Sequence, residues 1–240
     1  PLDVLIAVTP GHADRVEQTL RLVRAACQAG VGHLVIISVI TTDADCAFGR
    51  QFLEIEAGVR AACEATPETR RTRFTFARVP LFLENYLGFG SAIRKDGLMR
   101  CSIDPSQPYA PIAVADVGEA LSAIATDVSG AYLDRTLSLA GECHTVGGFV
   151  SLLGELRGLP VKYERTSAAS DVQGLISLRF EPWQANGLVE LYSLVSAGEY
   201  AFSSDELERC LGHPPTTLRA WLATTLPSFA QVAPAAEPPA

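Results

Sequence analysis

The sequence predicts a mostly parallel α/β sheet covered by helices on both faces, followed by a smaller, mainly helical region. Three observations predict it. Apolar runs without polar alternation, at residues 2–8 (LDVLIAV) and 33–39 (HLVIISV), suit strands buried on both faces. The stretch between them carries apolar residues every three or four positions, the period of an amphipathic helix. Glycine and proline punctuate the boundaries. Strands alternating with helices in this way build parallel sheets with helical layers on either side.

The first unit runs strand, helix, strand. Residues 2–8 end at the turn signal Thr9, Pro10 and Gly11. Ala13, Val16, Leu20, Val23 and Cys27 then form an apolar stripe, with Arg15, Gln18, Arg21 and Arg24 between them. Gly30 and Gly32 stop that helix. The crossover to the strand at 33–39 should be right-handed. A second stripe, Phe48, Phe52, Ile55, Val59 and Cys63, leads past Pro67 and Arg70, Arg71 and Arg73 to a third strand at 73–79 (RFTFARV). Residues 80–111 are irregular and rich in Gly and Pro. Val117, Leu121 and Ile124 mark a further helix, and residues 137–141 a fourth strand. Beyond them Phe149, Val150, Leu153 and Leu156 form one helical face. Residues 161–165 form a short strand, and Leu188, Leu191, Tyr192 and Val195 another helical face. Thr216 or Thr217 caps a last helix bearing Leu218, Trp221 and Leu222. The expected division is a sheet core over 1–141, with 80–111 an insertion toward the cleft, a helical region over 142–230, and a disordered Pro/Ala tail over 231–240.

Composition narrows the function classes. The chain of 240 residues is 48% apolar and 19% charged, globular rather than disordered. Its net charge of −8 argues against a nucleic-acid partner, which needs a basic footprint. No apolar run reaches the roughly 18 to 20 residues that cross a bilayer. Residues 1–8 lack the basic start and cleavage pattern of a secretory signal. The expectation is therefore a cytoplasmic protein with no membrane contact. Six scattered cysteines without CxxC spacing read as reduced, small hydrophobes. His12, His33, His144 and His213 show no metal-ligand spacing, so no metal is expected.

Ligands of open parallel sheets bind at the carboxyl ends of the strands. That rule points to Thr9 and Pro10 after the first strand, Ser38 in the second and Pro80 after the third. Each is also an ordinary strand terminus. The chain has no G-x-S-x-G elbow and no Walker A loop. Asp43, Asp45 and Cys46 lie near the expected cleft as an acid/base set, although Asp at a helix start commonly caps it. Tyr86, beside Asn85, meets a substrate or serves as a half-buried aromatic.

Several phrases carry a family resemblance. They are VLIAVTP; AGVGHLVIISV; Ile55-Glu56; ARVPLFLENYLG, with Arg78, Pro80, Phe82, Glu84 and Asn85; and VADVGEALSAI, with Asp116 and Gly118. In order and spacing they resemble the NmrA-like family of atypical short-chain dehydrogenases, across almost the whole chain. The resemblance implies a Rossmann-like fold that binds NADP or NAD. It implies Thr9, Pro10, Ser38 and Pro80 on the cofactor side, and Phe82, Asn85 and Tyr86 on the substrate side. Ser38 and Tyr86 are the candidate catalytic groups.

Two departures matter. The family opens with a glycine-rich turn that cradles the pyrophosphate, about 60 to 70 residues before the point matching Pro1. Nothing in this chain replaces it, so NAD(P) binding by these residues alone is expected to be poor. The first strand is then expected as an exposed apolar edge that favours a homodimer. Second, the Tyr-x-x-x-Lys pair that transfers the proton in short-chain dehydrogenases is absent; its positions fall on Phe48 and Phe52. Three readings stay open: an NAD(P)-binding regulator or redox sensor, an NAD(P)H-dependent reductase of quinones or small carbonyls, and a ligand-free partner-binding domain.

Overall fold

The computed structural model describes residues 2–42 and 45–230. Strand β1 (Val4–Ala7) leads to helix α1 (Arg15–Ala29), which Gly30 ends in a left-handed cap (φ 76°). The sequence then forms β2 (His33–Val39), α2 (Ala47–Glu64) and β3 (Arg73–Val79). A 3-10 turn at Leu83–Phe89 precedes α3 (Gly90–Asp96), β4 (Leu98–Cys101) and β5 (Pro108–Tyr109). Next come α4 (Val114–Thr126), β6 (Arg135–Ser138), β7 (His144–Thr145), α5 (Val146–Arg157) and β8 (Lys162–Arg165). The remaining helices are α6 (Ala168–Ser177), α7 (Pro182–Ser196), α8 (Glu206–Leu211) and α9 (Leu218–Thr225).

The main sheet has the order β1-β2-β3-β6 and every pairing is parallel. Its period-2 alternation sorts side chains between two layers. Leu34, Ile36, Phe74 and Phe76 pack on Val23, Phe52, Ile55 and Val59 of α1 and α2. Val35, Ala77 and Val79 pack on Val117, Leu121 and Ile124 of α4 and on Leu207 of α8. A third cluster joins the 3-10 turn, α5, α7 and α9 around Tyr86, Phe149, Trp221 and Phe229.

Three sequence expectations change. Residues 2–8 are not buried on both faces: Leu2, Ile6 and Val8 are 56%, 40% and 69% exposed. The cause is position, because among the described residues β1 is bonded on one side only, to β2. The fourth strand begins at Arg135 rather than 137, since Asp134 turns the chain at φ 56° and clamps Arg73 at the bottom of β3. Residues 80–111 are largely ordered, through partners far along the chain. β4 pairs with β8 and β5 with β7, so local periodicity could not reveal them. Thr217 is the cap of α9, while Thr216 donates to Asp116. The 231–240 tail lies outside the described residues.

Candidate functional site

Because β1, β2, β3 and β6 run parallel, their carboxyl ends share one edge, and two cavities lie beyond it. The wider one encloses about 450 Å³ between Ile40, Thr41, Arg78, Ser138, Glu199 and Tyr200. Behind its lining residue Arg78 lies a buried carboxylate. Glu56, 3% exposed, accepts from Arg78 Nε and Nη2 (2.9 and 2.8 Å) and from Ser38 Oγ (2.6 Å). Ser38 therefore does not open on the cleft. It is fully buried and its hydroxyl is committed to Glu56, which leaves it no free group for substrate or cofactor. The Ile55-Glu56 and Arg78 signals of the sequence are thus one ion pair.

The narrower cavity lies just past β3. Phe82, Asn85, Tyr86, Tyr109 and Tyr192 line it, and its volume is about 20 Å³. The structure thus brings together the three residues expected on the substrate side. Asn85 is exposed, whereas Tyr86 is 4% exposed and stacks on Phe149 at 3.6 Å between ring centroids. The Tyr86 oxygen accepts from Tyr109 Oη (2.5 Å) and meets His144 Nε2 (3.1 Å). His144 Nδ1 lies 3.1 Å from the Glu142 carbonyl. Burial pushes the phenols of Tyr86, Tyr109 and Tyr192 above their ordinary pKa and the His144 imidazole below its own.

Backbone geometry makes this contact possible. The β5–β7 pairing sets Tyr109 directly opposite His144. A Cβ on Gly141 would sit 1.9 Å from the Pro111 carbonyl oxygen, so only glycine permits the two segments to approach. The sequence marks Tyr192 only as part of a helical face and His144 only as a histidine without metal spacing, and Tyr109 lies in the Gly- and Pro-rich stretch that carries no periodic signal.

The remaining candidates are placed as follows. Thr9 is half-buried and Pro10 exposed at the end of β1, and Gln184 Nε2 of α7 donates to the Gly11 carbonyl beside them (2.6 Å). Pro80 is buried directly after β3. Asp45 is tied to Arg50, and Cys46, not an aspartate, caps α2 by accepting from Gly49 N; Asp43 lies outside the described residues. Phe48 and Phe52, expected from the resemblance at the positions of the proton-transferring pair, face the Arg15 guanidinium at 5.0 and 5.2 Å, with Trp183 at 5.4 Å. Glu84 accepts from Val114 N and Trp221 Nε1, so this motif acid ties the 3-10 turn to α4 and α9.

A dinucleotide needs two things, a slot for its nicotinamide end and a cradle for its phosphates. The 450 Å³ cavity lies within the usual size range of ligand sites. The left-handed, helix-ending glycines supply no phosphate cradle. Gly30, Gly97, Gly158 and Gly212, all with positive φ, end helices, where the macrodipole is negative and disfavours phosphate. No helix among the described residues is long and apolar enough to cross a membrane.

This strand order, with ligand-sized space beyond the carboxyl edge, defines a Rossmann-like α/β protein. The model of the NmrA-like family matches residues 2–227, and the chain belongs to that family. It is 26% identical over 215 residues to a (4-alkanoyl-5-oxo-2,5-dihydrofuran-3-yl)methyl phosphate reductase of Streptomyces griseus, covering 88% of this chain and 72% of that protein. It is 24% identical over 225 residues to an NAD(P)H azoreductase of Xenophilus azovorans, covering 90% and 73%. Among solved structures, an NADPH-dependent quinone oxidoreductase of Escherichia coli complexed with NADPH superposes with a TM-score of 0.80 at 22% identity, over 92% of this chain and 76% of that one, a likeness of fold.

Proposed function

We propose that this protein is an NAD(P)H-dependent reductase of small conjugated acceptors, quinones above all, working in a reducing cytoplasm. The observation that carries the reading is the tyrosine-lined cavity immediately past β3, where Phe82, Asn85 and Tyr86 meet. The reductase names of the relatives support it. When bound, a reduced nicotinamide would supply the hydride, so the protein need only position the acceptor and provide a proton. Thr9, Pro10 and Pro80 are the residues proposed to border that ring. Phe82 would flank the acceptor and Asn85 would hold it by hydrogen bonding. Tyr86, rather than Ser38, belongs to the proton-handling group.

The test is NADPH oxidation by the purified protein with 1,4-naphthoquinone. Steady, enzyme-dependent oxidation is expected. A second reading, the NAD(P)-binding regulator or sensor, is favoured by the replacement of the Tyr/Lys pair with Phe48 and Phe52. Saturable NADPH binding without turnover of any quinone would select it. We also propose a homodimer formed edge to edge through β1, whose free side is apolar and without lysine.

A further inference from the structure

We propose that Tyr109, Tyr86 and His144 form a proton relay that carries a proton from the protein surface to an acceptor atom in the cavity past β3. This rests on the reductase reading for its use, but the relay itself is a property of three side chains.

The hydrogen positions follow from the partners. The Glu142 carbonyl only accepts, so the neutral imidazole keeps its proton on Nδ1 and leaves Nε2 bare. Tyr86 then donates to Nε2, and Tyr109 donates to Tyr86. In this state Tyr109 spends its hydrogen on Tyr86 and has none for an acceptor. Protonation of Nε2 reverses the order: the imidazolium donates to Tyr86, Tyr86 to Tyr109, and Tyr109 to whatever occupies the cavity. One proton entering at His144 thus emerges at Tyr109, and no phenolate forms in an environment that strongly opposes it.

The cavity adds an independent observation. Tyr192 is 7% exposed, lines the same space, and its hydroxyl bonds no described residue. It adds a further phenol to the wall that an acceptor atom would meet. A volume of about 20 Å³ holds little more than one water. It fits a single projecting acceptor atom, such as a carbonyl or quinone oxygen, with the substrate ring outside it. The acceptor gains a hydride and its two electrons. Its oxygen, made basic, takes the Tyr109 proton, Tyr109 takes that of Tyr86, and Tyr86 takes that of His144 Nε2. Solvent reprotonates His144. Tyr109 is the catalytic residue, and Tyr86 and His144 act through it. The groups facing His144 are the two phenols and the Glu142 carboxylate; the carboxylate favours the imidazolium, burial opposes it more strongly. Turnover should therefore fall as pH rises through an imidazole pKa below the ordinary one.

Two measurements test this. The first needs no cofactor: exchange of the Tyr109 hydroxyl proton with solvent, read by NMR. In His144→Gln, which keeps a polar side chain but cannot relay, exchange should slow about tenfold or more. An unchanged rate overturns the relay. The second is 1,4-naphthoquinone reduction with NADPH. Tyr86→Phe keeps the ring stacked on Phe149 and should lower kcat about 10²-fold, the effect of losing a positioned proton donor. KM for NADPH should stay, and the pH limb should vanish. Wild-type kcat and pH profile in Tyr86→Phe overturn the proposal. Slowed exchange in His144→Gln with no quinone turnover in the wild type would uphold the relay and sink the reductase reading instead.

Discussion

Glu56→Gln should destabilise the fold more than its surface chemistry suggests. The carboxylate is 3% exposed and accepts three hydrogen bonds, two from Arg78 and one from Ser38. Neutralising one partner of a buried ion pair costs about 3–5 kcal/mol. The Arg78 side chain is 18% exposed toward the wider cavity, and water there relieves part of that cost. The lower end, about 3 kcal/mol, is expected. For a chain of this size that corresponds to a fall in Tm of roughly 6–12 °C. Urea unfolding followed by tryptophan fluorescence measures it, with Trp183 and Trp221 as reporters. Combining Arg78→Met with Glu56→Gln should cost less than the two single changes together, because both act on the same ion pair. A loss under about 1 kcal/mol for Glu56→Gln, or a double variant weaker by the sum of both changes, would refute the reasoning.

Two further outcomes follow from the packing. Phe52→Lys, which restores one half of the short-chain dehydrogenase pair, should create no alcohol dehydrogenase and should cost about 3 kcal/mol or more, since it sets a second cation beside the buried Arg15; stable protein with new activity would show that the helix register was misread. Ile6→Lys on the free side of β1 should shift sedimentation toward monomer while changing stability by no more than about 0.5 kcal/mol; unaltered self-association would remove β1 from the interface.

The legible parts of the fold were those written in local periodicity. β2 and β3 fall where their apolar runs end, because both are central strands covered on two faces. The helices α1 and α2 follow their stripes for the same reason. β1 reads like β2 in sequence, yet it is half exposed, since an apolar run does not say whether a neighbour lies on both sides. At the site, Phe82, Asn85 and Tyr86 were legible as one short motif and do meet at one cavity. Ser38 was legible as a strand-end serine, but what it bonds was not, because Glu56 reaches it from the next helix. Tyr109 and His144 meet only through a two-residue antiparallel pairing between segments 35 positions apart, and no period in the sequence encodes that.

The last helix has a consequence for how the protein is made. Trp221 of α9 bonds Glu84, 137 positions earlier, and Phe229 packs on both Phe149 and Trp221 with no exposed surface of its own. The walls around Tyr86 are therefore supplied by the final stretch of described chain. During translation the sheet can assemble while this region is still being synthesised, but Tyr86 and Phe149 stay uncovered until residues 221 and 229 have left the ribosome. Such late, sequence-distant closure is slow and exposes aromatic surface meanwhile. A nascent chain stalled short of α9 would be a sheet without a finished substrate pocket, and a natural client for a chaperone.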